Sequence, residues 1–448
     1  MRFLFELTIS AVCFTYSQAA TYSPTLDIKN LDQLQDATTK AIKNLMSYYT
    51  PSVTGVFDQV ETPWHESGMI WGLHFDYVKW TGDTQFLPLV TDALVNSSYT
   101  IAHDFLGGDQ VKIVETLLGR WNDDILWPSQ AVVAGAELYG PNALMARSNG
   151  DWITLAARTF DQAAAQTDNK CGGGIYWSRD RTSAGGNYKS LITQLEFISQ
   201  GARNYIQTKN STILEQSKKV LDWVVSSGLA NPQTGVLFDG AETDDCKKFT
   251  TFIWSYNYGQ LLGSLAWMNL ATGDQKYLDM AGPYFNYAMN TFAATNTSGV
   301  ITEICEATMS CNRDQQGFKG IFARNLAYFY RQTNDEKIKT SIRNSIDASV
   351  NAMVSRSCDR DWNCGGNWTT DTQPIKYVRS QQVSTSLLVS ALGIYSNPDS
   401  GLIPKLNVRS TEQNRSSAAF NSVSAGRRVE ASRSILLLFV VLFLAFFY

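Results

Sequence analysis

Two adjacent carboxylates stand out among residues that could carry chemistry. Asp123 and Asp124 follow Trp121 and Asn122 and precede Trp127. Breaking a glycosidic bond needs one acid that protonates the leaving oxygen and one carboxylate that attacks the sugar or activates water. Neighbouring residues can meet the separation of about 5–5.5 Å that retaining enzymes use, if the backbone splays their side chains into one cleft. Because two such acids repel each other, we expect one pKa to rise and the other to fall.

A structural explanation of the pair is equally open from these residues alone. Asn122 or Asp123 could cap a helix predicted over residues 125–139, whose positive end favours acids. Asp244 and Asp245 form a second acidic pair that could simply lie on a loop.

Helical hairpins must position these residues. Polar turns recur after aromatic-rich helical segments, spaced 59–68 residues apart, at Asp83, Asp151, Asn210, Asp274 and Asp335. A unit of about 62 residues holds two helices of ordinary length with their loops. Residues 24 to 395 make six such units, which predicts an all-α protein, an (α/α)6 barrel whose inner helices line the core. The alternative, an open solenoid, would need polar capping repeats.

The two ends of the chain read as targeting signals. Residues 1–19 have the charge, apolar stretch and small-residue cleavage site of a secretory signal peptide. At the other end, a triplet of small residues beginning at Ser424 is followed by a polar spacer and the apolar run Ile435–Tyr448. This order predicts a GPI-attachment signal, with Ser424 favoured over Asn421 as the attachment residue and 427–448 removed. A tail anchor is the alternative, although 14 residues are short for a membrane span.

Between these signals we expect one (α/α)6 domain over 20–395 and a flexible Ser-rich stalk over 396–426. Five sequons agree with secretion: Asn96, Asn210, Asn296, Asn367 and Asn414.

The cysteines also agree with an oxidising compartment. Of seven cysteines, Cys13 leaves with the signal peptide and six remain. Six cysteines allow fifteen connectivities. Two close pairs suggest local loops and leave a third pairing: Cys305 with Cys311, Cys358 with Cys364, and Cys171 with Cys246.

Composition excludes other classes of protein. The net charge is −4, from 37 Lys and Arg against 41 Asp and Glu. A nucleic-acid binder would instead carry an excess of basic residues. With three histidines and no paired Cys-x-x-Cys, no structural metal site is expected. Gly172–Gly174 does not fit a phosphate-binding loop, and we expect no cofactor.

Several motifs together resemble one family. In chain order they are Trp64–Met69, Trp80–Asp83, Asn122–Asp124, Cys171–Trp177, Asn187–Lys189, Phe238–Gly240, Trp254–Gly259 and Cys311–Gly320. In order and spacing the chain resembles glycoside hydrolase family 76, the α-1,6-mannanase family, and its fungal GPI-anchored cell-wall branch. One departure is His65, which follows Trp64 where the family often shows a second Trp.

The resemblance implies an (α/α)6 barrel that retains anomeric configuration, with Asp123 as nucleophile and Asp124 as acid/base. Further candidates could bind sugar in the central cleft, or could merely pack the loops: Asn122, Tyr188, Lys189, Asp239, Trp254, Tyr256 and Asn257. The implied donor is α-mannan or the mannose-bearing GPI glycan of a wall protein, the acceptor could be β-glucan, and a GPI lipid would hold the enzyme at the membrane. The alternatives are a non-catalytic wall lectin on the same fold and an inverting toroid enzyme.

Overall fold

The computed structural model describes residues 23–403, apart from 53, 59–61, 99–102, 107–120, 146–147, 149, 371–376 and 398–400. These residues belong to one compact unit, Met1–Leu406. The predicted signal peptide 1–19, the sequon Asn414, the attachment candidates Asn421 and Ser424, and the segment 427–448 lie outside the described residues.

Buried helices alternate along the chain with amphipathic ones. Six helices are buried on almost every face: α2 (Trp64–Thr81), α4 (Asn122–Tyr139), α6 (Leu191–Thr208), α8 (Ser255–Thr272), α11 (Phe318–Gln332) and α13 (Val378–Tyr395). The others bury one side only: α1 (Leu31–Met46), α3 (Leu87–Ser97), α5 (Trp152–Ala164), α7 (Ser211–Ser227), α9 (Lys276–Asp279), α10 (Ala281–Phe292) and α12 (Glu336–Ser357). A helix buried on all sides belongs inside and a helix with one buried side belongs outside, so the chain builds two concentric layers.

The inner layer closes on itself. Each buried helix packs against the next along the chain, and α13 returns to pack against α2. A buried ion pair spans this closing contact, with the Arg379 guanidinium donating to both Glu66 carboxylate oxygens at 2.8 Å. The closed ring confirms the predicted (α/α)6 barrel and excludes the open solenoid.

The predicted polar turns join inner helices to the outer helices that follow. Gly82, Lys209 and Gly273 adopt the left-handed conformation that ends α2, α6 and α8. Asn210 then caps α7 by accepting a hydrogen bond from the Thr212 backbone N–H, and Asp335 caps α12 in the same way. Because an outer helix returns the chain between each inner helix and the next, the six inner helices run parallel and their N-termini share one end of the barrel.

The longer connections gather at this shared end. A three-stranded antiparallel sheet of β1 (Tyr188–Ser190), β2 (Gly240–Glu242) and β3 (Phe249–Thr250) stands there, with β1 leading directly into α6. Three disulfides brace the loops that enter the inner helices: Cys171–Cys246, Cys305–Cys311 and Cys358–Cys364. Their pairing is the one that the cysteine spacing suggested.

The folded domain continues past its predicted end at residue 395. Arg331 donates to the carbonyl oxygens of Ser396 and Asn397 at 2.9 and 2.8 Å, and Leu402 is 2% exposed. The predicted stalk therefore starts too early at 396. In the described part of the chain, no helix combines the length and apolarity needed to cross a bilayer.

Four predicted sequons fall on described residues. Asn210 and Asn296 are exposed, whereas Asn96 and Asn367 are half-buried. The Asn96 side-chain amide donates to the Ser52 carbonyl at 2.9 Å. Asn210 and Asn296 therefore offer the freer acceptor nitrogens.

Candidate active site

The acidic pair lies in the first turn of an inner helix. Helix α4 begins at Asn122, three residues earlier than predicted, so Asp123 and Asp124 are helical residues. The cap position is Trp121, and no side chain caps this helix end. The alternative explanation, in which Asn122 or Asp123 serves as the cap, is therefore wrong. The earlier start also places Pro128 inside the helix, beyond its first turn.

Asp123 is held by one side-chain hydrogen bond. The Trp177 indole N–H donates to Asp123 Oδ2 at 3.0 Å, and Asp123 Oδ1 accepts none from the described residues. Trp177 is itself fixed through its backbone, which donates to the Tyr188 carbonyl and accepts from the Asn122 N–H, both at 2.8 Å. One carboxylate oxygen is thus anchored and the other is left for chemistry.

Both carboxyls titrate above their ordinary range. Burial raises the pKa of Asp123 to about 7, and the Trp177 hydrogen bond opposes that rise. Burial, then Asp123, then Asp314 raise the pKa of Asp124 well above its usual value. The expectation that one pKa would fall is wrong, because burial dominates at both positions. The two pKa values still differ, since the Trp177 indole N–H favours the ionised form of Asp123.

Two of the predicted sugar-binding residues are buried in supporting contacts. The Asn122 side chain is fully buried, donating to the Tyr176 carbonyl and accepting from Arg179, both at 2.7 Å. The Lys189 ammonium, also fully buried, bonds Asp168 and two loop carbonyls at 2.6–2.9 Å. Their hydrogen-bonding groups are committed to holding loops, so the structure does not bring these two to the sugar side of the site.

Three other predicted residues form one hydrogen-bonded cluster. The Tyr188 hydroxyl donates to Asp239 Oδ2 at 2.9 Å, and the Asn257 amide donates to Asp239 Oδ1 at 3.3 Å. Burial raises the pKa of Asp239, against both hydrogen bonds. Tyr188 and Asp239 are half-buried, and Trp177 packs edge-on against Tyr188. The cluster therefore adjoins the catalytic candidates through Trp177.

Aromatic side chains form another part of the site. Tyr256 stacks on Phe318 with ring centroids 3.9 Å apart, and Trp254 meets the same ring edge-on at 5.7 Å. Tyr256 also packs against a buried cluster of inner-helix residues, namely Met69, Trp127, Ile192 and Ile321. Apolar floors and aromatic faces of this kind suit the C–H faces of sugar rings.

Reasoning from sequence missed the roles of three neighbours of the pair. Trp177 was only part of a motif, His65 only a departure from one, and Glu196 was not considered. Glu196 is fully buried on α6, and neither of its carboxyl oxygens has a hydrogen-bond partner in the described part of the chain. Burial, then Asp123 and Asp124, raise its pKa well above normal. A search for polar residues near the start of each inner helix would have found His65 and Glu196.

One cluster of described residues has the spacing of metal ligands. His65, Glu66 and Asp314 each bring one potential ligand atom within 4.8 Å of the others. Both Glu66 oxygens already accept hydrogen bonds from Arg379. A cation would therefore find at most two free ligands in this cluster.

Comparisons with known proteins assign the chain to a family. The model of glycosyl hydrolase family 76 matches residues 33–400. Mannan endo-1,6-alpha-mannosidase DFG5 of Saccharomyces cerevisiae is 28% identical over 413 residues, covering 87% of this chain and 85% of the relative. Mannan endo-1,6-alpha-mannosidase DCW1 of Candida albicans is 28% identical over 386 residues, covering 83% and 82%.

Solved structures share the fold. Dfg5 from Chaetomium thermophilum, in complex with glucosamine, has a TM-score of 0.74 at 23% identity, covering 84% of this chain and 94% of that one. An inactive double aspartate-to-asparagine variant of an α-1,6-mannanase from Salegentibacter, in complex with α-1,6-mannotriose, has a TM-score of 0.66 at 16% identity, covering 81% and 99%. With the family model spanning most of the sequence, this chain belongs to glycosyl hydrolase family 76.

Proposed function

We propose that this protein is a retaining endo-α-1,6-mannosidase-like enzyme of the cell wall, which cleaves mannosides or transfers them to a second sugar. The observation that supports it most is the placement of Asp123 and Asp124. Both lie in the first turn of an inner helix whose end no side chain caps, both have raised pKa values, and the Trp177 indole N–H donates to Asp123.

The two steps of retention assign a role to each acid. Asp123, the more readily ionised, attacks the anomeric carbon as a carboxylate, while Asp124 gives its proton to the leaving oxygen. The covalent glycosyl-enzyme is then opened by a hydroxyl whose proton passes to the Asp124 carboxylate. If that hydroxyl belongs to water the reaction is hydrolysis, and if it belongs to a bound sugar the reaction is transfer. Asn122 supports this step as a positioning residue behind the pair.

The substrate class rests on the relatives. Two are named for α-1,6-mannan, and a mannanase of the same fold binds α-1,6-mannotriose when two of its aspartates are replaced. We extend the donor to α-mannan or a mannose-bearing GPI glycan, and the acceptor of a transfer reaction to β-glucan. Tyr256 and Trp254 provide the aromatic faces on which such sugars could stack, and the cluster of Tyr188, Asp239 and Asn257 provides polar partners.

The place of action follows from the ends of the chain and its modifications. The signal-peptide pattern, the sequons and the three disulfides suit an enzyme outside the cell. The C-terminal pattern suits a GPI lipid at the outer face of the plasma membrane, with Ser424 as its attachment residue.

Turnover of α-1,6-mannan fragments tests the proposal. The Asp123→Asn variant should lose turnover, and the turnover rate of Asp124→Asn should fall roughly 10²–10⁴-fold. Asp244→Asn is the matched control, because it changes one member of the other acidic pair, which is exposed on a loop. It should behave like the unmodified protein. Binding of mannan without turnover by the unmodified enzyme would instead indicate a wall lectin, and an inverted product anomer seen by NMR would contradict retention.

A further inference from the structure

A histidine on the neighbouring inner helix reaches the proposed acid/base. His65 is the second residue of α2, and its Nδ1 lies 3.4 Å from Asp124 Oδ1. The two side chains are 22% and 17% exposed, so water screens this contact only partly. Catalytic hydrogen bonds are often long in enzymes without substrate and shorten in the complex.

Asp124 has little else to stabilise its ionised form. Its pKa is raised by burial, by Asp123 and by Asp314. Yet the second step of retention requires Asp124 to be a carboxylate. In the described region, His65 Nδ1 is the side-chain nitrogen that approaches this carboxyl group, at 3.4 Å.

The surroundings of His65 keep its ring neutral. Burial lowers the pKa of His65 to about 4, and Arg313 and Arg379 act in the same direction against Asp314. A neutral imidazole carries one N–H and one lone pair. Glu66, the next residue, has both oxygens bonded to Arg379 and does not compete for that N–H.

We propose that His65 is a positioning residue whose Nδ1–H donates to Asp124 Oδ1 and so keeps the transferable proton of Asp124 on Oδ2. In the first step that proton leaves Oδ2 for the glycosidic oxygen, and the resulting carboxylate still accepts from Nδ1–H. In the second step the incoming hydroxyl returns a proton to Oδ2. The imidazole keeps its own proton throughout, so no proton is gained or lost at His65.

Nitrogen NMR tests the contact without using activity. The chain has three histidines, and His74 and His103 are internal controls in a sample labelled with ¹⁵N-histidine. We expect His65 in the Nδ1–H form, with ¹⁵N shifts that titrate together with Asp124 and stop titrating in Asp124→Asn, while the controls do not respond to that change. A His65 ring protonated at Nε2, or shifts indifferent to Asp124→Asn, would overturn the proposal.

Enzyme kinetics tests the effect of His65 on catalysis. This second test rests on the proposed function. His65→Phe keeps an aromatic ring but removes the donor, so the alkaline limb of kcat/KM should move up by about 0.5–1 pH unit. Its kcat should fall roughly tenfold with accumulation of the glycosyl-enzyme, because the base form of Asp124 is less stable. His65→Asn places an amide N–H near the position of Nδ1 and should stay within about threefold of the unmodified enzyme.

The two readouts separate the possible failures. If His65→Phe matches the unmodified enzyme, or His65→Asn behaves like His65→Phe, the role of His65 is wrong although the mannosidase stands. If the unmodified enzyme does not turn over mannosides, the proposed function fails, and the NMR result still decides whether His65 donates to Asp124.

Discussion

Asp123 and Asp124 occupy successive positions of one helix and differ in their donors. Trp177 donates to Asp123, and His65 is the group that approaches Asp124. Because burial raises both pKa values, the folded protein holds carboxyl protons that the unfolded chain releases near pH 4. The site is therefore a place where the fold gives up stability for function.

Because the folded protein holds these carboxyl protons more tightly than the unfolded chain does, removing one carboxyl should increase stability in a pH-dependent way. A raised folded pKa means that the contribution of Asp124 to stability is complete below about pH 4 and declines as pH rises through its folded pKa. Asp124→Asn cannot ionise, so its Tm should match the unmodified protein near pH 3.5 and exceed it by about 2 °C or more at pH 7. A Tm for Asp124→Asn below that of the unmodified protein at pH 7, measured by calorimetry, would contradict the assigned shift.

The start of α4 depends on a close approach to α2. Pro128 lacks an N–H, so the Asp124 carbonyl one turn earlier loses its helical partner. Gly68 on α2 faces this proline, and a Cβ there would lie 2.5 Å from the Pro128 nitrogen and 2.6 Å from its Cδ. The pair of Gly68 and Pro128 thus sets how deeply the first turn of α4, with both acids, sits between its neighbours.

Adding one methyl group at this contact should disturb both stability and activity. We expect Gly68→Ala to lower the free energy of unfolding by about 1–3 kcal/mol, because backbone rather than a flexible side chain must move. Activity should fall as well, since α4 carries the acids. Gly282→Ala on α10 is the control: a Cβ there meets nothing within 4 Å, so denaturant unfolding should show little change or a slight gain. Equal unfolding curves for the two variants would show that the contact does not set the position of α4.

For the whole molecule, features that repeat along the sequence were predictable, whereas contacts between residues distant in the sequence were not. Turn residues such as Asn210 and Asp335 mark the start of a helix because their side chains cap it. The spacing of these turns therefore predicts six hairpins and the closed ring. The start of α4 was misplaced by three residues because Asn122 and Asp123 resemble capping residues, whereas no side chain caps this helix.

In the site, too, residues close together in the sequence were predictable and partners distant in the sequence were not. The acidic pair was visible because its residues are neighbours in sequence, whereas His65 and Trp177 reach it from 59 and 54 residues away. Lys189 looked like a sugar ligand because a charged residue in a loop motif is usually exposed, and only the fold shows it buried under Gly173 and Asp168. Partners brought together by the parallel inner helices cannot be read from local patterns.

A covalent trap is the sharpest test of Asp123 as the nucleophile. The intact enzyme is incubated with a 2-fluorinated α-mannosyl donor that slows opening of the intermediate, and the modified peptide is mapped by mass spectrometry. We expect one mannosyl adduct, attached to Asp123 and absent from Asp123→Asn. An adduct on another carboxyl, or turnover with no adduct and an inverted product, would contradict it.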